Sequence, residues 1–318
     1  MYIIIPNLNG AEHLKTCYRS LKSQTVREFK VILVDNNSSD DSVDLTLSEL
    51  PDAEIIRLEK NHGFAGAVNK GLAFAISDNR YESVLLLNND IELTPDFIEK
   101  GLKTFQQHPD AYMIAVKMLN YYNRNIIDDC GDFIKAFGGS PFARGHGEED
   151  RGQYDKTEYI FGACAGAAFY RLILFREIGY FDEIFFAYYE DIDISFRAQL
   201  AGYKCIYQPE AVCYHKRGGT ASAGATGFQT EMCERNLVLM RFKNYPLSIY
   251  VLYQPLFLIA RIKRYYGFIK YNSPEVFIKA LRGYIRGIAL LPFMIKSRLR
   301  IQRNIRVSTP YIKNLFPR

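Results

Sequence analysis

Leu85-Leu86-Leu87-Asn88-Asn89-Asp90-Ile91-Glu92 changes character in mid-stretch. Three leucines read as the buried end of a strand. The three polar residues that follow are ones the middle of an apolar sheet does not tolerate. The stretch therefore predicts a strand whose carboxyl end opens into a site, with Asn88 and Asp90 pointing out of the fold. An amide and a carboxylate two residues apart make an oxygen-rich corner suited to a hard divalent cation, Mg²⁺ or Mn²⁺. The competing reading is a polar turn that caps the strand before a helix started by Thr94-Pro95. The stretch alone does not decide between them.

Its surroundings do. Strand patterns at Tyr2–Ile5, Lys30–Val34, Glu54–Leu58 and Ser83–Leu87 alternate with helical patterns at Ala11–Ser23, Asp41–Leu50, Ala65–Ser77 and Pro95–Gln107. Leu14, Tyr18 and Leu21 share one helix face, and Val43 with Leu47 are expected inward. Continuous apolar strands between amphipathic helices predict a mostly parallel α/β sheet covered on both faces. Ligands of such sheets sit outside the carboxyl ends of the strands. Polar residues follow four of these strands: Asn7 and Asn9, Asp35-Asn36-Asn37, Asn61-His62-Gly63, and Asn88-Asn89-Asp90. Four polar ends on one rim point to a site.

Each cluster has its own chemistry. Asp35 is placed to accept hydrogen bonds from a base or ribose. The run from Asp35 to Asp41 is no calcium loop, since it lacks the glycine at its sixth position and has Thr46 where a bidentate Glu is needed. Gly63 and Gly66 open a helix after a strand, where free N–H groups attract a diphosphate. The spacing is neither GxGxxG nor a P-loop. Glu190, Asp191 and Asp193 crowd a first helical turn predicted to run to Ala201, behind Phe185, Phe186, Tyr188 and Tyr189. Aromatic faces suit sugar rings, and a partly desolvated carboxylate beside them suits a general base. Asp193 is equally explained by an i,i+4 pair with Arg197. His215 follows a strand and precedes the basic, glycine-rich Lys216-Arg217-Gly218-Gly219-Thr220, which suggests a metal or phosphate role.

Composition bounds the rest. The 318 residues are 48% hydrophobic and 24% charged, an ordinary globular balance. Six cysteines without CxxC spacing suggest reduced thiols and a cytosolic setting. The amino terminus reads as a strand and not as a signal peptide. Residues 241–318 hold 16 of the 40 Lys and Arg residues but only one acid, Glu275. Their apolar runs at Leu247–Ala260 and Ile288–Ile295 are interrupted by Pro255 and Pro292. Neither reaches the roughly 20 residues of a spanning helix. Interleaved with bases, they predict helices lying on an anionic membrane face, or else a bundle packed on the rest of the chain. No nucleic-acid motif accompanies the charge.

In order, Ile5-Pro6-x-x-Asn9, Val34-Asp35-Asn36-x-Ser38-x-Asp40, Asn61-x-Gly63-Phe64-Ala65-x-Ala67-x-Asn69-x-Gly71, Leu87-Asn88-x-Asp90, Gly162 to Tyr170, Gly179-Tyr180-Phe181-Asp182-Glu183, Glu190-Asp191-x-Asp193 and His215 resemble the GT-A glycosyltransferases of family 2, especially the branch of bacterial rhamnosyltransferases. The resemblance covers about residues 2–240. It implies a GT-A, Rossmann-like catalytic domain over 1–240, with a donor half at about 1–119, an irregular insertion or flap at 120–158 and an acceptor half at 159–240. A basic, largely helical region follows at 241–318. It further implies inverting transfer of a sugar from a dTDP-, UDP- or GDP-linked donor, L-rhamnose from dTDP-rhamnose being one candidate, with the donor left open.

By position Pro6, Leu8 and Asp35 border the base, and Gly63, Phe64 and Gly66 the ribose and diphosphate. Asn9, Asn37, Asn69, Asn88 and Asn89 are placed on the donor side. Asp90 stands in the family's DxD as metal ligand, and His215 completes the coordination of Mg²⁺ or Mn²⁺. Asn88 replaces the first Asp, which implies a weaker or water-mediated metal contact. Asp191 matches the catalytic base, Glu190 assists it, and Phe186, Tyr189 and Asp193 face the acceptor. The expected acceptor is a lipid-linked saccharide of a bacterial surface polysaccharide, reached from the cytoplasmic face of the membrane, with a homodimer left open. The alternative from another class is a non-catalytic sugar-nucleotide or glycan-binding subunit. A nucleotidyltransferase is disfavoured, since Pro6-Asn7-Leu8-Asn9 stands where its arginine-containing glycine loop belongs.

Overall fold

The computed structural model describes residues 1–216 and 226–316. The first part alternates as expected: β1 (Tyr2–Asn7), α1 (Ala11–Lys22), β2 (Lys30–Asp35), α2 (Ser42–Glu49), β3 (Glu54–Arg57), α3 (Gly63–Asp78), β4 (Ser83–Leu87), β5 (Ile91–Leu93), α4 (Phe97–Gln107) and β6 (Ala111–Asn120). Then come β7 (Ile127–Asp129), β8 (Asp132–Ile134), β9 (Pro141–Ala143), β10 (Glu158–Ile160), β11 (Ala167–Arg171), α5 (Leu172–Ile178), α6 (Glu190–Leu200) and β12 (Lys204–His215). Five helices close the chain: α7 (Thr226–Asn244), α8 (Leu247–Leu252), α9 (Gln254–Tyr271), α10 (Pro274–Arg303) and α11 (Thr309–Asn314).

The central sheet has the order β10-β12-β6-β11-β4-β1-β2-β3. Strands β1 to β4 are mutually parallel where they pair. The antiparallel β11 lies between β4 and β6, and β12 runs parallel to β6. The strands are continuously apolar because both faces are covered. Leu86 packs with Ile4, Val68 and Leu72 under α3. Leu85 and Leu87 pack with Ile3, Ile5, Leu14, Tyr18 and Phe97 under α1 and α4. Each such side chain, fully removed from water, contributes roughly 1.5–3 kcal/mol. On α3, Gly71 lies against β1, and a Cβ there would come within 2.6 Å of Ile4.

Three expectations need correction. Leu47 is 48% exposed, and α2 instead buries Ser42 and Thr46; Thr46 shares a hydrogen bond of 2.6 Å with Tyr18 of α1. The polar turn at Asn88–Asp90 is not followed at once by the helix that begins after Thr94-Pro95. The short β5 comes first and pairs with β12, setting Ile91 opposite His215. The 120–158 stretch is not irregular throughout: β7 joins β6, and β8 pairs with β9.

A third core joins the acceptor side to the carboxyl-terminal helices, where Phe161, Phe185, Ile192 and Phe196 pack with Leu237, Tyr245, Phe257, Met294 and Phe316. Helix α7 runs through positions 240 and 241 without a break, and α10 passes Pro292 without interruption. Glu231 of α7 takes Arg282 and Arg286, and Glu234 takes Arg261 and Arg264, so part of the basic charge is turned inward. Leu247, Val251, Leu252, Ile262, Ile269, Ile285 and Phe293 remain exposed on α8 to α10. Among the described residues no helix is long and apolar enough to cross a membrane.

Gly283 and Gly287 let α10 lie directly on α7, and a Cβ at Gly283 would run into the carbonyl of Glu231. Backbone cannot swing aside as a side chain can. Gly283→Ala should therefore cost about 1–3 kcal/mol from overpacking, against a helix-propensity gain of about 1 kcal/mol. The expected net result is a lower urea midpoint at unchanged slope. A raised midpoint would contradict the close helix contact.

Candidate active site

A cavity of about 290 Å³ opens at the carboxyl ends of β1, β2 and β4. It is lined by Pro6, Asn7, Leu8, Asn36, Asn61, Gly63, Phe64, Asn88, Asn89, Asp90, Phe186, Ala187, Tyr188 and Phe228. The rim expected from the polar strand ends thus forms one concave surface. Asn89 donates to Asn7 Oδ1 at 2.7 Å, and Asn7 donates to Ser38 Oγ at 3.2 Å. This buried amide chain fixes the ends of β1 and β4 relative to each other.

The antiparallel pairing of β5 with β12 brings Asp90 to His215. His215 Nε2 lies 3.4 Å from Asp90 Oδ2, and its Nδ1 donates to Asp128 Oδ2 at 2.6 Å. Burial acts to lower the His215 pKa, but hydrogen bonds and charge from Asp128 and Asp90 outweigh it and raise it to about 9. Burial acts upward on Asp90, yet the hydrogen bond and charge of His215 keep it below the usual carboxylate value. Asp90 Oδ1 is buried and finds no hydrogen-bond partner among the described residues. A carboxylate oxygen without a partner, beside an imidazole oriented by a second carboxylate, is a donor set that fits a hard divalent cation. Among the described residues no cluster of three such side chains stands ready for a metal.

Asp128 was not foreseen, because its partner lies 87 positions away and its own surroundings read as an insertion. Lys216 donates to Thr16 at 2.7 Å; the rest of the basic loop, from Arg217, lies outside the described residues.

Glu190 and Asp191 begin α6. Glu190 is buried, and burial followed by the charges of Asp191 and Asp193 pushes its pKa well above the normal value. Asp191 keeps some solvent access. Burial raises its pKa, while backbone hydrogen bonds from Ile192 and Ala165 act the other way. Phe186, Tyr188 and Tyr189, just upstream, all hold positive φ. The side chains of α7 sustain that strain. Asn236 donates to the carbonyls of Phe185 (3.0 Å), Ala187 (2.9 Å) and Tyr188 (2.6 Å). Arg235 donates to those of Ile184 and Phe185. Phe228, also of α7, meets Phe186 edge-on across the cavity. None of these α7 residues carried a local sequence signal.

Several expected ligand contacts are internal instead. At the start of α3 three N–H groups are taken within the protein: His62 N donates to Asn36, Gly63 N to Asn61, and Ala65 N to the Phe186 carbonyl. Gly63, at φ +70°, is needed because a Cβ would strike that carbonyl. Gly66 faces His62 and does not line the cavity. Asn69 is clamped to Phe181 and Glu183. Asp35 turns to Ser38 N, leaving Asn36 on the cavity wall. Asn9 binds Ser39, and the exposed Asn37 has φ +71° in the same loop. Tyr189 lies off the cavity and packs against the third core. Asp193 is fully buried among Arg197 (2.9 Å), Lys243 (2.8 Å) and Asn244 (2.8 Å). It is a structural pin and not an acceptor contact.

The sheet order and the cavity at the strand ends define an α/β protein with a ligand site at the carboxyl rim of its sheet. The sequence profile described as glycosyl transferase family 2 matches residues 2–179, and the chain belongs to that family. It is 28% identical over 200 residues to the low-salt glycan biosynthesis hexosyltransferase Agl10 of Haloferax volcanii, covering 62% of this chain and 61% of that protein. It is 26% identical over 241 residues to the N-acetylglucosaminyl-diphospho-decaprenol L-rhamnosyltransferase of Mycobacterium tuberculosis, covering 69% and 76%. Among solved structures, S. aureus TarS 1-349 superposes with a TM-score of 0.58 at 17% identity, over 95% of this chain and 88% of that one. The mannosyltransferase PcManGT of Pyrobaculum calidifontis, solved with GDP-Man and Mn²⁺, gives 0.53 at 15% identity, over 99% and 77%. These two share the GT-A fold.

Burial acts upward on the Asp193 pKa, but Lys243 and Arg197 outweigh it and hold it low. A depressed carboxylate contributes stability that is complete above its unfolded pKa and is lost as pH falls through the folded one. Asp193→Asn should therefore cost about 3–5 kcal/mol at pH 7, with the deficit shrinking below about pH 3.9. Urea midpoints of both proteins at pH 7 and pH 3 test this; an equal deficit at both would contradict it.

Proposed function

We propose that the chain is an inverting glycosyltransferase of glycan biosynthesis, moving a sugar from a nucleoside diphosphate to a saccharide acceptor. The observation that carries this reading is the meeting of Asp90 and His215 at the rim of a cavity also lined by Pro6, Leu8 and Gly63. The nucleotide sugar would occupy that cavity, with Asn88, Asn89 and Phe64 along its wall. Asp90 and His215 would hold Mg²⁺ or Mn²⁺, with Asp128 fixing the imidazole. A bound cation supplies charge neutralisation for the departing diphosphate.

The chain's own groups do the rest. The acceptor hydroxyl attacks the anomeric carbon as the bond to the diphosphate oxygen breaks, and its proton passes to Asp191. A single displacement inverts the centre and requires no enzyme nucleophile. The raised pKa of Asp191 makes it a better proton acceptor than an ordinary aspartate. Burial and the charge of Asp191 push the Glu190 pKa up, which disfavours a second negative charge next to that base. Phe186 and Tyr188 present aromatic faces for sugar rings at the cavity wall.

L-rhamnose from dTDP-rhamnose is the donor we favour, on the strength of the mycobacterial relative; the diphospho-decaprenol in that relative's name supports a lipid-linked acceptor. Peripheral contact with the cytoplasmic membrane face fits the exposed apolar residues of α8 to α10 beside Lys263, Lys270, Lys296 and Arg300.

Asp191→Asn is expected to lower transfer by about 10²-fold or more while nucleotide-sugar binding, read as a thermal shift, persists. Transfer that survives both this change and chelation of divalent cations would sink the mechanism. Asp128→Asn should weaken Mn²⁺ binding by about 10–100-fold, measured from the free-ion electron paramagnetic resonance signal. A selective thermal shift with dTDP-rhamnose over UDP- and GDP-sugars would fix the donor; no such preference would remove rhamnose from the reading.

A further inference from the structure

Away from the donor cavity, a cleft of about 600 Å³ opens between α7, α8, α9 and α10. Its walls are apolar, with Leu258, Ile288 and Leu291 among them. Leu258 is 58% and Ile288 45% exposed, so the mouth merges with the apolar face of these helices. Its floor is cationic. Arg241, only 4% exposed, lies 4.3 Å from the Phe257 ring and donates to the Gly138 carbonyl. Its buried Nε has no partner among the described residues. Arg261, also lining the cleft, stacks 3.6 Å from the centre of the Tyr284 ring.

The charges here do not balance. Glu234 is the carboxylate of the cluster, and it is already engaged by Arg261 at 3.2 Å and Arg264 at 2.7 Å. Among the described residues no carboxylate pairs with Arg241, and burial followed by the charges of Arg261 and Arg264 lowers its pKa to about 10. A buried, unpaired cation is costly, and an anion delivered to it would relieve that cost. Apolar walls above a cationic floor match an amphiphile with a hydrocarbon chain and a phosphorylated head.

We propose that this cleft binds the lipid anchor of the acceptor, its chain between α9 and α10 and its phosphate or diphosphate on Arg241 and Arg261. The proposal rests on the reading of a lipid-linked acceptor given above, and it assigns the anchor a site separate from the donor cavity. It takes one lipid molecule into a cleft, which is different from laying the helices on a bilayer.

The chain contains no tryptophan, so Leu258→Trp places a single fluorophore at the mouth. Titration of that protein with farnesyl diphosphate below its micellar concentration should give a saturable blue shift. Farnesol should bind at least about tenfold more weakly, and inorganic pyrophosphate should give no shift over the same range. Adding Arg241→Met should weaken farnesyl diphosphate by about tenfold or more, the effect of losing a charge-assisted contact. If that double variant shows no cooperative unfolding, Ile288→Asp in the Leu258→Trp protein replaces it and should reduce binding similarly from an exposed position. No saturable shift, equal binding of farnesol, or indifference to the folded variant overturns the proposal. A response to phosphatidylglycerol vesicles alone overturns it too and gives the surface to the bilayer. A nucleotide-sugar thermal shift on the same protein separates the two readings. If it persists while farnesyl diphosphate is silent, only the cleft falls. If farnesyl diphosphate binds and no nucleotide sugar does, the cleft stands as a lipid-phosphate site, and its assignment to a transfer acceptor falls with the donor reading.

Discussion

The carboxylate of Asp193 has no exposure to water and is shared by Arg197 one turn along α6 and by Lys243 and Asn244 at the end of α7. Arg197 in turn donates to the carbonyls of Ile178, Gly179 and Tyr180, and Lys243 also reaches Asp182. These groups tie α5, α6 and α7 together with charges that cannot be resolvated in place. Separating any partner leaves a buried charge unpaired, which penalises small displacements far more than apolar contact would. Glu190 and Asp191 sit on the same first turn as Asp193, so their position is set by this pin and not by the loop before them.

That loop has the opposite character. Phe186, Tyr188 and Tyr189 occupy left-handed backbone, each costing about 1–3 kcal/mol, and no glycine eases it. The strain is sustained because Asn236 and Arg235 collect the carbonyls that the twisted backbone turns away from any regular ladder. In return Phe186 and Tyr188 stand on the cavity wall, and the Phe186 carbonyl caps Ala65 N at the start of α3. One loop therefore closes the cavity at the strand ends and leads directly into the helix that carries the proposed base.

The parallel sheet and its rim were legible because they follow from local pattern. An apolar run that ends in Asn or Asp reports the strand and the side on which it stops. The pairing of Asp90 with His215 was legible only through the family resemblance; its physical cause, β5 laid against β12, is a three-residue strand with no pattern of its own. Roles that depend on a distant partner were not legible. Asn69 read as available for a ligand, because sequence shows a polar group without showing who satisfies it; for Asp193 the Arg197 pair was legible from spacing, but Lys243 and Asn244 were not. Asp128 failed in the reverse sense: it lies in a stretch without periodicity, and only folding sets it behind His215.

Helix α7 carries the most consequence with the least signal. An amphipathic helix declares its buried face by period, but α7 buries Glu231, Glu234, Arg235, Asn236, Arg241, Lys243 and Asn244 along with Leu237, Leu239 and Met240. Its polar residues point to different neighbours: Arg235 and Asn236 to the strained loop, Lys243 and Asn244 to α6, Glu231 and Glu234 to the arginines of α9 and α10. An apolar helix could fill the same volume, yet it could not hold the loop in left-handed backbone or fix the register of α10 with ion pairs. The acid–base asymmetry of the chain acquires a structural meaning here. The cations of the tail meet the acids of α7 first, and the excess that remains, Arg241 above all, is what makes the cleft beside it receptive to an anion.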